Sequence, residues 1–434
     1  MFNITLLKSR IEKNRLLKDS FWAIFGNILG KGLAFIAGVI IANLLGKDIF
    51  GQYGLVRNTL ISFSMFSTFG VGYVVISKIS KLISEKQYKI SLIYQKTAIR
   101  ISIYFSVFLA IVFYIFSEMI LSSLFEDFKG KQLLYLFPLL LILNSLTTTQ
   151  QGILSGERKF KEIARINTLY GGVIFFTSLI FTYLFGLLGA LFALLLSQVF
   201  LFYCYRIKSG YRIRASILFI KNLNEKKILI KFLSSALPVA MREGVYAISI
   251  WGRNLLIVLW FSFGDLGLYS AAMQINIMIL YIPGILQNVF LSYLSGGNDK
   301  KLFNKLLLFN FLVTIIPVIL VVLFRNELSI IYGESFNGLK ELLLYSILIT
   351  VLSSLANLYS QYFLSLGKNW IIFKISLVRD FIIIGLFYWF HEFFNQIYSG
   401  AFLMVWAQLI GLLLFVLCSQ VIKVKYEKNS LEYQ

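Results

Sequence analysis

Residues 20–52 read SFWAIFGNILGKGLAFIAGVIIANLLGKDIFGQ. From Phe21 the run is mostly apolar for about 25 residues, enough as a tilted helix to cross a ~30 Å hydrocarbon layer. Gly26, Gly30, Ala34, Gly38, Ala42 and Gly46 recur at every fourth position. That spacing lays a ridge of minimal side chains along one slowly drifting face, where a second helix or a bulky ligand can approach the backbone. Lys31 stands beside the ridge, about 16 Å along the helix from Ser20. An ammonium at that depth costs roughly 3 kcal/mol or more, so such groups face a protein interior or a water-filled cavity. A short turn, Gly46–Gln52, then leads into a second apolar run that ends near Ser77. The stretch reads as a packed, cavity-lining first helix carrying one functional cation.

The rest of the chain has the same character. Of 434 residues, 58% are hydrophobic and 14% charged, with a mean hydropathy of +0.79. Soluble domains carry about 25% charged residues, so this is a polytopic membrane protein. The first apolar run is too long for the core of a cleavable leader and no small-residue cleavage site follows it, so none is expected. Cys204 and Cys418 both fall in apolar runs, which argues against a disulfide framework or a zinc site.

Residues Ile4–Lys18 interleave aliphatic side chains with Lys8, Arg10, Lys13, Arg15 and Lys18, a basic amphipathic segment suited to an anionic inner leaflet. Apolar runs of spanning length then fall near 20–45, 53–77, 98–117, 133–154, 164–184, 187–205, 232–261, 266–294, 303–324, 339–366, 371–390 and 397–422. The expected fold is all-α with 12 transmembrane helices, both termini on one side. Only Phe185–Gly186 separates the fifth helix from the sixth.

Charge fixes the orientation. Segments on the N-terminal side hold 31 Lys and Arg, whereas the opposite loops hold Lys47, Lys129, Lys131, Arg325 and Lys340 among nine acids. The positive-inside rule makes both termini cytoplasmic. The net charge of +21 is therefore a topology signal, and nucleic acid drops out as a partner.

A basic loop, 206–231, divides the chain near its middle. The expected organisation is an amphipathic N-terminus (1–19), a six-helix lobe (20–205), this linker, a second six-helix lobe (232–422) and a cytoplasmic tail (423–434). The lobes look like repeats. Residues 45–54, LGKDIFGQYG, line up with 261–270, FSFGDLGLYS, at a shift of 216, and 151–155, QGILS, with 361–365, QYFLS, at a shift of 210. Six helices per repeat preserve orientation, so the repeats are parallel and related by a pseudo-two-fold along the membrane normal. Two such bundles fit an alternating-access transporter.

Seven charged residues fall four or more residues inside the expected spans: Lys31, Arg57, Arg242, Glu243, Arg253, Arg379 and Asp380. Arg242 and Arg253 lie eleven residues apart, about 1100° of helix and so within ~20° of one face. Lys31, in the repeat-equivalent helix, is expected to look toward that ladder. A cleft lined by guanidinium and ammonium groups suits an anion with several oxygens, and arginine suits phosphate through its planar fork of donors. Arg57 and Arg253 lie near enough to a surface that snorkelling to headgroups is the alternative role. Glu243 and Asp380 either neutralise neighbouring arginines or bind a coupling Na⁺ or H⁺. Arg379 points about 100° from Asp380 on a helix, so that pair need not form.

Enzyme signatures are missing from the sequence. His391 is the single histidine, which removes metal clusters and histidine acid–base pairs. Gly26–Gly32 has one residue too few between its glycines for a phosphate-binding loop and lacks Ser or Thr after the Lys, so no ATP-driven pump is read. Pro138, Pro238, Pro283 and Pro317 lie inside apolar runs, where a missing N–H permits hinges.

Residues 20–23, SFWA, through 51–57, GQYGLVR, resemble the opening of the Wzx-type O-antigen and polysaccharide-repeat flippases of the multidrug/oligosaccharidyl-lipid/polysaccharide (MOP) exporter superfamily. The likeness extends to length, helix layout and the basic mid-loop. It implies a MATE-like pair of lobes around a cationic cavity, no cofactor beyond a possible Na⁺ or H⁺, and flipping of undecaprenyl-diphosphate-linked oligosaccharide across the bacterial inner membrane. It further implies that Lys31, Arg57, Arg242 and Arg253 engage diphosphate and acidic sugars. Acidic residues on helices 7 and 11 bind Na⁺ in the related lipid II flippases, which implies the same for Glu243 and Asp380. Membrane lipids and the polymerase and chain-length proteins of the same pathway are the implied partners. A cation-coupled multidrug exporter is the rival within transport, and a membrane-embedded polysaccharide polymerase or ligase the rival outside it. The outer loops are short for the latter.

Overall fold

Apolar runs in hydrocarbon close their backbone hydrogen bonds internally, and the described residues of the expected spans are almost all helical. The computed structural model describes residues 4–68, 71–124, 137–209, 223–295, 300–366 and 368–432. Its helices are α1 (Ile4–Thr68), α2 (Val71–Ser84), α3 (Tyr88–Leu124), α4 (Phe137–Gly156), α5 (Phe160–Ser209), α6 (Leu223–Trp260), α7 (Phe263–Ser295), α8 (Lys300–Leu323), α9 (Arg325–Tyr332), α10 (Leu339–Ser365), α11 (Asn369–Phe394) and α12 (Gly400–Glu432). Among the described residues, 7 helices are long and apolar enough to cross a membrane. The chain is a multi-pass membrane protein.

Two of those helices are each divided by a glycine. In α5 the break is Gly186, φ 57° and ψ −132°, at the expected boundary between the fifth and sixth spans. In α1 it is Gly46, φ 71° and ψ 168°. The expected turn over 46–52 is thus one residue, because helix resumes at Lys47. A side chain is strained at such φ, whereas glycine is not. The basic N-terminal segment is helical from Ile4 and runs on into the first span. Part of the expected linker, 210–222, lies outside the described residues.

The chain forms two compact units: Met1–Ile41 with Val56–Trp251, and Ala42–Leu55 with Gly252–Gln434. In the first, α4 packs on α2, α3 and α5. Val71, Val74, Val75 and Ile79 of α2 meet Ala98 and Ile99 of α3, Leu146 and Ile153 of α4, and Phe232 of α6. A polar seam runs beside this core. Ser145 donates to the Ser67 carbonyl at 3.1 Å, Asn144 to Ser64 at 3.0 Å, and the Ser102 and Thr149 hydroxyls pair. The small-residue ridge works as expected at Gly30, where a Cβ would stand 2.3 Å from the Asn167 carbonyl of α5. A Cβ on Gly171 would in turn stand 2.7 Å from Gly30 Cα.

The second unit repeats the scheme. Here α10 packs on α7, α8 and α12. Asn310 donates to the Ser354 carbonyl at 3.1 Å and to its hydroxyl at 2.7 Å, Thr314 pairs with that same hydroxyl at 2.7 Å, and Asn276 donates to the Ser346 carbonyl at 2.9 Å. Such interhelical bonds are worth about 0.6 kcal/mol each in a membrane, at most ~1.7. Residues 42–55, the hairpin at the break in α1, are held by Asn43 donating to the Ile331 carbonyl at 3.1 Å and by the Lys47 amide donating to Ser335 Oγ at 3.2 Å. Phe50 packs edge-on against Phe336. Close by, Tyr332 is fully buried with its hydroxyl donating to Gln274, and burial pushes that phenol above its ordinary range.

Candidate functional site

Lys31 projects from α1 one residue past the Gly30–Gly171 crossing. Its side chain is reached by solvent although protein atoms crowd round it, and Arg57 lies close enough for the two charges to repel. Close packing at Gly30 brings α5 against the backbone one residue before Lys31. Arg57 is exposed. Among the described residues neither cation has an ion-pair partner. Two like charges left unneutralised inside one unit of a membrane protein are costly, and an anion placed between them removes the cost.

Glu243 lies in the same unit on α6, half-buried and engaged by a partner. Its neighbour Gly244 fits against the Phe66 ring, where a Cβ would be 2.9 Å from Cε1. One further turn pair along, Trp251 donates to Thr59 Oγ1 at 3.2 Å. These contacts seat α6 on the second half of α1. The Arg242 side chain lies outside the described residues, so the expected ladder with Arg253 has one visible rung. Arg253, in the second unit, is half-buried, and its Nε is buried without a hydrogen-bond partner.

Of the two roles open to Asp380, the structure shows the charge pair, made with adjacent Arg379. Arg379 Nη2 stands 2.8 Å from Asp380 Oδ1, and Nε donates to the same oxygen at 2.9 Å. Adjacent positions diverge by about 100° at Cβ, but the arginine stem is long enough to fold back over one residue. Gly411 of α12 makes room for this: a Cβ there would meet Ile383 at 2.4 Å and the Arg379 carbonyl at 3.5 Å. Phe415, one turn on, covers the guanidinium at 5.4 Å. Asp380 is buried, and its second oxygen, Oδ2, has no hydrogen-bond partner. Glu243 and Asp380 fall in different units.

Two buried cations escape a reading by sequence. Arg100 of α3 is 2% exposed, yet at the rim of the third span it counts naturally with the loop charges. Its signal is the run of polar residues on the same helix, Ser91, Gln95, Thr97, Ser102 and Ser106, every one of them buried. Lys423 of α12 is 3% exposed, with Nζ 4.4 Å from the Phe303 ring centroid and 5.7 Å from that of Tyr362. Nothing in the local sequence of α12 announces that aromatic seat.

The polysaccharide biosynthesis protein family matches residues 16–297. No curated protein matches in sequence. Among solved structures, the chain is similar to an inward-facing multidrug resistance MATE family transporter of the MOP superfamily, with a TM-score of 0.71, 16% identity, and 92% of this chain and 95% of that one covered. It is also similar to a MOP superfamily transporter from Pyrococcus furiosus whose binding pocket is described as reversed in polarity (TM-score 0.65, 17% identity, 94% and 95% covered). An outward-facing MATE transporter follows at a TM-score of 0.63 and 16% identity, with 93% and 95% covered. The MATE-like fold is thus established, and by the match over residues 16–297 the chain belongs to the polysaccharide biosynthesis protein family.

Proposed function

We propose that this protein is a flippase, a transporter and not an enzyme. It carries undecaprenyl-diphosphate-linked oligosaccharide repeat units from the cytoplasmic to the periplasmic leaflet of the bacterial inner membrane. It works by alternating access of two six-helix lobes, twelve spanning helices in all, with both termini cytoplasmic and a Na⁺ or H⁺ gradient as the drive. The observation that carries the reading is Lys31 with Arg57: two cations close enough to repel, without a carboxylate partner among the described residues. A diphosphate supplies the missing negative charge, and its oxygens suit a guanidinium fork beside an ammonium. The reciprocal packing of Lys47–Gly54 on Phe263–Ser270 supports parallel repeats, since equivalent residues meet equivalent residues. Of the acids, Glu243 has a partner and Asp380 pairs with Arg379, which leaves the Asp380 Oδ2 atom as the place where a proton or Na⁺ would act.

In a strain lacking the chromosomal copy, the wild-type chain restores surface polysaccharide. Lys31→Ala and Arg57→Ala should abolish it and leave lipid-linked repeat units on the inner leaflet, with protein level and membrane insertion unchanged. Normal polysaccharide with both variants rejects the reading, as does drug resistance conferred in a strain whose polysaccharide never depended on the chain.

A further inference from the structure

We infer that the second unit carries, at the end bearing Lys47, a docking recess for one sugar ring that is neutral or amine-bearing and not acidic. The inference rests on the flippase reading and adds a site that shares α1 with Lys31 and Arg57 but includes neither.

The recess has a volume of about 290 Å³. That is the low end of ligand pockets, roughly ten times the ~30 Å³ share of a liquid water, and so room for one ring and not for a chain. Four separated stretches build it: residues 47–48, 262–268, 337–338 and 397–402. Two glycines keep it open. A Cβ on Gly264 would stand 2.3 Å from Asp48 Oδ1, and Gly338, at φ +94°, turns the chain where side chains are strained.

The polar groups are arranged as a mixed set. Lys47 and Asp48 both open on the recess, and among the described residues neither has an ion-pair partner. Asp265 is held by Ser262, whose hydroxyl donates to Oδ2 at 2.8 Å and accepts from the Asp265 amide at 3.0 Å, so Oδ1 is left to point elsewhere. Ser399 Oγ is buried without a hydrogen-bond partner. Leu268, Phe402 and Tyr398 add apolar and aromatic surface to the lining. A sugar ring has matching chemistry: hydroxyls that both donate and accept around its edge, and an apolar C–H face that lies on an aromatic ring. One cation against two carboxylates leaves a net negative charge, which admits an amine and repels a carboxylate or phosphate. The recess therefore selects the opposite of what the Lys31 region selects. An oligosaccharide with a diphosphate at one end needs both kinds of site.

Trp406 provides the readout, since its ring lies 4.7 Å from Tyr398 and 6.4 Å from Phe402, centroid to centroid. The full chain in detergent is titrated with galactose, N-acetylglucosamine, glucosamine, glucuronate and CaCl₂, following tryptophan fluorescence. At least one of the first three should give a saturable change that Trp406→Phe removes. Glucuronate should bind roughly tenfold or more weakly. Asp48→Asn and Ser399→Ala should weaken the sugar response by about tenfold, the worth of one charge-assisted or buried hydrogen bond, with the melting temperature of each variant unchanged. No sugar response, a glucuronate response equal to the others, a response to Ca²⁺ alone, or full binding by both variants overturns the inference. Failure here in a protein that still restores surface polysaccharide removes the recess and leaves the flippase. Sugar binding in a protein that restores none removes the flippase and leaves the recess.

Discussion

Gly51 and Gly267 meet as mirror partners. A Cβ on Gly51 would fall 1.8 Å from the Phe263 carbonyl oxygen, and one on Gly267 would fall 1.9 Å from the Lys47 carbonyl oxygen. Each glycine also faces the other's amide, at 3.0 Å and 3.2 Å from the added Cβ. At the repeat shift of 216, Gly51 corresponds to Gly267 and Lys47 to Phe263. A pair that exchanges identical contacts in this way is what a two-fold axis generates. The next equivalents, Gly54 and Ser270, touch as well, with the Ser270 hydroxyl 3.0 Å from an added Cβ.

A methyl at either position has no space, so Gly51→Ala and Gly267→Ala should each destabilise the protein by about 1–3 kcal/mol or more. Thermal unfolding in detergent reads the loss. Gly32→Ala is the control, because a Cβ there has nothing within 4 Å, and it should melt at the wild-type temperature or slightly above.

Gly46 tests the break in α1 separately. At φ 71° and ψ 168° the residue lies where essentially only glycine is found, so an alanine costs roughly 1–3 kcal/mol. Asparagine, whose tolerance of positive φ is confined to ψ near +47°, should lose about as much. Equal melting of Gly46→Ala, Gly46→Asn and wild type would show that the hairpin does not depend on this torsion.

The Arg379–Asp380 pair makes a double-mutant prediction. Asp380→Asn strands a guanidinium that is 14% exposed, at about 3–5 kcal/mol for a broken buried pair. Arg379→Met with Asp380→Leu together should lose much less, since apolar replacements remove both desolvated charges. A cycle with no coupling energy would show that the carboxylate serves something other than its neighbour.

Lys31 and Arg57 repel instead of pairing, which reverses the sign. Arg57→Ala should leave the melting temperature unchanged or raised, while lowering surface polysaccharide. A fall in melting temperature would mean that Arg57 is held by attraction.

How much of this was legible in the sequence follows from the range of the forces involved. Spanning helices, the glycine at each break and the close approach at Gly30 are properties of short stretches, and sequence spacing carries them. The ridge that Gly30 belongs to has two fates, however. Gly30 packs on α5, while Ala42, three turns later and fully buried, belongs to the other unit. Side-chain reach defeats the angular argument at Arg379, because a flexible stem crosses the 100° that separates neighbours. The seats of Arg100 and Lys423 are made by helices far away in sequence, as is the recess beside Lys47. No periodicity within one helix encodes them.

The Gly51–Gly267 join has a consequence for divergence. It is made of main chain on both sides, a carbonyl against a bare Cα, so it is indifferent to what Lys47 and Phe263 carry beyond Cβ. One copy of the duplicated motif could acquire an ammonium and the other a phenyl ring without loosening the seam. The two copies are thereby free to grow chemically unlike, one charged and one oily, around a seam that stays the same shape.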